Sequence, residues 1–309
     1  MNASASYVHE PVQPSGKTIM GTKSLVSFLA LTFGLSWVPM SLFMLFADQL
    51  TPLFGEMGTT NPLFLLAVYA PGLSGIFLIW RHYGLKGLGS FFRRLMSWRA
   101  PLQWWLFLLL GIPAIVYAAA AINGTISEPF RFLPWYMLFP ALLQSLLLGP
   151  MGEEFGWRGL ALPLLQRRFA PFWASLILGV VWAVWHAPAF LLSGTPQSAW
   201  SFGPFFVGLI AITVILTPLF NASRGSLLIA ILYHLQMMNP IFPDAQPWDN
   251  FLFAIAAVVI VWLNRRTMFQ RGSGVTDVLM PGESRDLPGL EIDPKADETA
   301  KNIPAPVAR

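Results

Sequence analysis

Two adjacent glutamates followed by an arginine, Glu153-Glu154-Phe155-Gly156-Trp157-Arg158, stand inside one of the most apolar regions of the chain. A charged side chain at mid-bilayer costs at least about 2.5 to 3.5 kcal/mol, so carboxylates kept there read first as chemistry. Side by side they repel, and they call for a cation, a shared proton or a metal. Arg158 is one helical turn after Glu154 on the same face, with the acid N-terminal to the base, the favoured order for a helical ion pair. Glu153 is left without a partner inside the motif. A carboxylate that its neighbours desolvate without neutralising is what a general base is made from.

Of the four histidines, His9 and His82 fall in polar or interfacial segments and are given no role. His186, in Trp182-Ala183-Val184-Trp185-His186-Ala187-Pro188, and His234, in Tyr233-His234-Leu235-Gln236-Met237-Met238-Asn239-Pro240, lie within apolar spans. With Phe169 and Ala170 at the apex of a helical hairpin, Glu154 lies about sixteen residues before it and His186 about sixteen after. In an antiparallel pair at ~1.5 Å per residue the two share a depth. Asn239 would sit about 140° round an ideal helix from His234. The residue before a proline leaves the α region, however, so the helix is expected to end near Met238 and let Asn239 turn toward the imidazole. Gln236 is the weaker amide candidate.

Two carboxylates and two imidazoles from three helices support two mechanisms. In one, Glu153, His186 and His234 hold a single divalent ion, Zn²⁺ being the commonest, which activates a bound water. In the other, Glu153 and His186 orient and deprotonate a water directly, while His234 and an amide, Asn239, stabilise the oxyanion. Both hydrolyse a carbonyl compound. No Gly-x-Ser-x-Gly elbow and no His-Glu-x-x-His is present, which removes the serine-hydrolase and zincin patterns. Taken singly, Glu154 with Arg158 is a structural ion pair and each histidine a helix-helix hydrogen-bonding residue. Their conjunction on three helices favours a site.

The elements that position these residues are membrane spans. The chain has 309 residues, 55% hydrophobic and only 11% charged, a composition of the polytopic membrane class. It has no cysteine, so disulfides, thiol nucleophiles and thiolate metal sites are excluded. The +4 charge is carried by bases flanking apolar runs, which fits membrane orientation and gives no reason to invoke nucleic acid. A polar lead precedes a first apolar run long enough to span, so no secretory signal is read.

The fold expected is an all-α polytopic membrane bundle of about eight transmembrane helices enclosing a polar intramembrane site. Residues 1–23 form a disordered lead, 24–268 the helical domain with its motif-bearing core at 134–240, and 269–309 a disordered tail. Spans are expected near 24–47, 62–80, 101–121, 134 into the Glu pair, 171–192, 202–219, 225–239 and 250–263. The segment 81–99, with five bases and interleaved aromatics, reads as an amphipathic interfacial helix. Bases gather on alternate connections and at both flanks, which puts both termini in the cytoplasm of a bacterial-type membrane. No internal repeat is found, which weakens a transporter built on inverted repeats.

Glu153-Glu154-x-x-x-Arg158, the Trp182-x-x-x-His186 motif and the His234 motif, in this order and spacing, resemble the CPBP family of intramembrane proteases. That family, also called the Abi group, joins type II CAAX prenyl endopeptidases with bacteriocin-processing and immunity proteins. The resemblance implies an eight-helix bundle around a polar cavity and hydrolysis of a peptide bond in a membrane-associated or lipidated, CAAX-like substrate. Glu153 would be the general base, Glu154 and Arg158 its support, and His186 and His234 would surround the water or metal. The chain departs from the family pattern twice. Trp182 stands where phenylalanine is usual, a change expected to affect packing, and Met238 occupies the position four after the histidine where asparagine is usual. A non-catalytic immunity or scaffold protein and a proton-coupled transporter are the alternatives.

Overall fold

The computed structural model describes residues 20–279 except Arg131 and Leu133. Most of the expected N-terminal lead, the tail beyond Leu279 and the loop base Arg131 therefore lie outside the described residues. Helix α1 (Thr22–Leu45) and α3 (Pro62–Arg93) pair as a hairpin, with the short α2 (Ala47–Phe54) between them. Helices α4 (Leu102–Leu106) and α5 (Ile112–Asn123) are joined by one π-helical turn at Phe107–Gly111. The run through the glutamates is segmented into α6 (Leu138–Leu147), α7 (Pro150–Gly156), a π turn at Trp157–Ala161 and α8 (Leu162–Gln166). Then follow α9 (Pro171–Trp185), α10 (Phe202–Ala222), α11 (Leu227–Met237), α12 (Trp248–Leu263) and the single turn α13 (Arg265–Met268). No β-strand occurs among the described residues.

The protein is an all-α polytopic membrane protein. Four helical stretches, Lys23–Leu45, Pro62–Met96, Leu102–Asn123 and Phe202–Ala222, are long and apolar enough to cross a bilayer, and α9, α11 and α12 are shorter apolar helices. The segmented run α6–α8 accounts for the remaining expected span. Large apolar side chains such as Val26, Leu109, Leu110 and Val258 point outward, as hydrocarbon-facing positions do.

Two backbone features place the site. Pro150 has no N–H to continue the ladder of α6 and is preset for a first helical turn, so the chain breaks at Leu148 and Gly149 and restarts as α7, which carries both glutamates. Then α7 meets α3 almost backbone to backbone. A Cβ on Gly72 would stand 2.5 Å from the Gly152 carbonyl oxygen, and one on Gly75 would stand 2.9 Å from that of Phe155. Gly152 and Gly156, four apart on α7, are the small residues that permit this approach, the commonest way for membrane helices to gain packing energy.

Two expectations change. The helix expected within 81–99 is set off from the span before it by a break at Gly84, where φ is 67° and the backbone is not helical, a conformation glycine adopts at little cost. Arg81, Lys86, Arg93 and Arg99 face outward as expected, but Arg94 turns inward and is buried. It donates from Nε to the Gly225 carbonyl at 2.8 Å, from Nη1 to Gly159 at 2.9 Å and from Nη2 to Arg158 at 3.2 Å. The second change is at the C-terminal side, where residues through Leu279 pack on the bundle instead of leaving it. The Gln166 and Asn221 amides bond each other reciprocally, and together they take the Val275 backbone N–H and carbonyl. Leu279 is fully buried.

Candidate functional site

The glutamates sit at successive positions of α7 and so point in directions about 100° apart. Glu154, with no exposed surface, faces the packed interior. Its Oε1 accepts from Arg158 Nη1 at 2.9 Å and from His234 Nδ1 at 2.8 Å. The expected helical pair is therefore present, and α11 adds the imidazole to it. The guanidinium is fixed further by Nη2 donating to Thr213 Oγ1 at 3.3 Å. The Thr213 hydroxyl in turn donates to the Leu209 carbonyl on its own helix, at 2.8 Å.

Glu153 faces the other way, toward α9 and a cavity. Its Oε2 accepts from the indole Nε1 of Trp182 at 2.6 Å, a short charge-assisted bond. Trp182 is the contact that sequence reasoning missed, since the tryptophan looked like a packing substitute for phenylalanine. A phenyl ring has no N–H to give. The same side chain lies 4.3 Å from the Arg158 guanidinium carbon, within cation–π range. It also meets the His234 ring edge-on at 5.2 Å. The signal available was its place in the motif, one turn before His186, together with its indole N–H, a donor-only group that seeks a partner when buried.

His186 caps the C-terminal end of α9, half-buried. Its Nδ1 is 2.9 Å from the Trp182 carbonyl oxygen. Carbonyl and carboxylate oxygens only accept, so both His186 and His234 donate from Nδ1. In the neutral ring each then carries its lone pair on Nε2, the nitrogen left for a cavity molecule.

These groups border a cavity of about 470 Å³ whose walls include Glu153, Trp182, His186, His234, Met238 and Asn239. Gly149 keeps that wall clear, since a Cβ there would run into the Met238 sulfur and stand 3.5 Å from His234 Nε2. Helix α11 ends at Met237 with Met238 as its cap, as expected. Asn239 lines the cavity, but its amide nitrogen donates to Gln236 Oε1 at 2.8 Å and its oxygen accepts from Ile241 N at 3.1 Å. Its turn toward His234 is not seen. The Gln236 amide instead donates to the Leu108 carbonyl at 2.9 Å.

The expected divalent ion would need Glu153, His186 and His234 to converge on one point. Among the described residues no group of three or more His, Asp or Glu side chains is arranged to hold a metal. One oxygen of Glu153 is taken by the indole, and Glu154 is engaged by Arg158 and His234. What the arrangement offers is one carboxylate with an oxygen left over, beside two imidazoles fixed through the same nitrogen.

Fold and site thus define a polytopic membrane protein with a carboxylate and two histidines gathered around an internal cavity. Residues 133–238 match the family model described as type II CAAX prenyl endopeptidase Rce1-like. That stretch contains the Glu pair, Arg158, Trp182 and both histidines, and stops short of Asn239. The chain is also similar to a protein of Methanococcus maripaludis named CAAX prenyl protease 2, at 28% identity over 183 residues, 53% of this chain and 66% of the relative. The alignment thus spans just under two thirds of that relative's length. Together the two comparisons support a CAAX protease-like family for this chain.

Proposed function

We propose that the protein is an intramembrane endopeptidase that hydrolyses a peptide bond in a membrane-associated or lipidated peptide or protein, with a water activated by Glu153. The observation that carries this reading is the division of labour between the carboxylates. Glu154, sealed in the interior, is bonded through Oε1 to both Arg158 and His234, whereas Glu153 is tethered to Trp182 through one oxygen at the wall of a cavity. The similarity to a CAAX prenyl protease supports the same class of reaction.

In this mechanism Glu153 takes a proton from a water that His186 holds by accepting its other hydrogen at Nε2. The water oxygen attacks the scissile carbonyl carbon, and the carbonyl electron pair moves onto its oxygen. His234, backed by Glu154, offers Nε2–H to that oxyanion when the ring carries a proton there. Collapse returns the electron pair to the carbonyl, the C–N bond breaks, and Glu153 passes its proton to the departing nitrogen. No step uses a covalent acyl-enzyme.

The test is cleavage of a peptide library by purified protein in detergent or nanodiscs, read by mass spectrometry, against Glu153→Gln. The expected result is defined new termini with the native protein and none with the variant. Identical products from both, or none from either in the presence of a folded protein, would remove the reading in favour of a binding or immunity role.

A further inference from the structure

The cavity and the basic residues of the bundle lie at opposite ends. Following the chain through its alternating crossings, the cavity walls extend to Thr59, Gln197, Asp244 and Gln246. All four belong to loops at one end: those after α2, between α9 and α10, and between α11 and α12. No residue of the opposite end's connections lines it. Below the Glu pair the interior is solid, with Trp157, Leu160, Leu162 and Phe220 fully buried. There Arg94 ties the end of α3 to the π turn and to the turn before α11.

Every described lysine and arginine other than Arg158 lies at that solid end or its flanks, from Lys23 through the segment after α3, the α8–α9 turn and Arg224 to Arg265, Arg266 and Arg271. The open end holds Asp48, Glu56, Glu128, Asp244 and Asp249 and, among the described residues, no base. Lys and Arg within about 15–20 residues of the spans set orientation, and they stay in the cytoplasm. The solid end is therefore the cytoplasmic one.

From this juxtaposition we propose that the site is reached from the extracytoplasmic face, so that its substrate is a peptide segment exposed on the far side of the membrane, translocated or anchored in the outer leaflet, and not a cytoplasmic tail. The proposal rests on the endopeptidase reading only for what enters. The direction of entry stands on the charges and the cavity alone.

The cysteine-free chain makes the direction measurable without background. Gln197→Cys, on the cavity wall, and Arg266→Cys, exposed beyond α12, are each expressed in bacterial cells and treated with a membrane-impermeant maleimide before and after permeabilisation. The expected pattern is labelling of the first in intact cells and of the second only after permeabilisation. Ala199→Cys, exposed in the same loop, repeats the measurement should the first variant fold poorly. Labelling of the open-end cysteines only after permeabilisation overturns the proposal, as does equal labelling of both ends in intact cells.

In a second arm, an impermeant quenched peptide is added to right-side-out and to inverted vesicles containing the native protein or Glu153→Gln. Glu153-dependent cleavage confined to right-side-out vesicles supports the proposal, and cleavage confined to inverted vesicles sinks it. Absence of cleavage in both counts against the endopeptidase reading, while the maleimide result still decides the face of entry.

Discussion

The two halves of the bundle solve opposite problems with the same kinds of residue. In the solid half, the buried Arg94 has backbone carbonyls as its hydrogen-bond partners, and the π turn, the turn before α11 and the segment through Leu279 close over one another. In the open half, polar side chains border the cavity, and Glu153 keeps one oxygen uncommitted to any protein donor. Arg158 and Glu154 form the boundary, bonded to each other with both side chains excluded from solvent. The lesson is that burial of charge does not by itself mark chemistry in this protein. Arg94 is as structural as a buried ion can be, and Glu153 differs from it in facing a cavity.

Substitutions on either side of the boundary should separate these roles. The largest effect expected is from Glu153→Gln, which keeps shape and the indole contact but removes the base. Turnover should fall by about 10²- to 10⁴-fold with the thermal midpoint unchanged, checked by peptide cleavage and scanning fluorimetry on one preparation. A parallel fall in stability would erase the contrast between the halves. Arg94→Met should do the reverse, leaving three carbonyl acceptors without their donor. It should cost at least about 2 kcal/mol in stability, seen as a lowered midpoint, while the folded fraction retains its KM.

Trp182→Phe sharpens the comparison within the site. It keeps an aromatic ring at the position beside Arg158 and His234 while removing the N–H to Glu153 together with the five-membered ring that carries it. Hydrogen bonds to charged groups contribute about 1.5 to 3 kcal/mol, so kcat should drop about ten- to a hundredfold with KM little changed. An unaltered kcat would show that the indole bond does not position the base. The smallest effect belongs to Asn239→Ala. Because that amide is spent on Gln236, its loss should change kcat/KM by no more than about 0.5 kcal/mol, and a larger loss would restore Asn239 to the oxyanion role that its place near His234 first implied.

Much of this was legible in the chain. The Glu154 and Arg158 pair follows from helical spacing, the spans follow from apolar run length, and the end of α11 near Met238 follows from the proline after Asn239. The features that escaped share a cause, which is that their partners are distant in sequence or are backbone atoms. Arg94 looked like its outward neighbours because carbonyl acceptors leave no mark in a sequence. Trp182 was read by size, though its donor decides its contact. The residues up to Leu279 looked like tail because proline, glycine and polar composition does not reveal that Gln166 and Asn221 would meet across 55 residues to receive them. The break at Gly149 could have been anticipated from Pro150, whereas the π turn that follows has no comparable residue signature.

That last seat also sets an order of events. Val275 docks on an amide pair contributed by two separate hairpins, and Val278 lies against Gly225 in the turn between α10 and α11. During synthesis the junction of those hairpins stays unlatched until residue 279 has emerged from the ribosome. The final step of assembly is then the fastening of a short strip of chain that follows the last apolar helix.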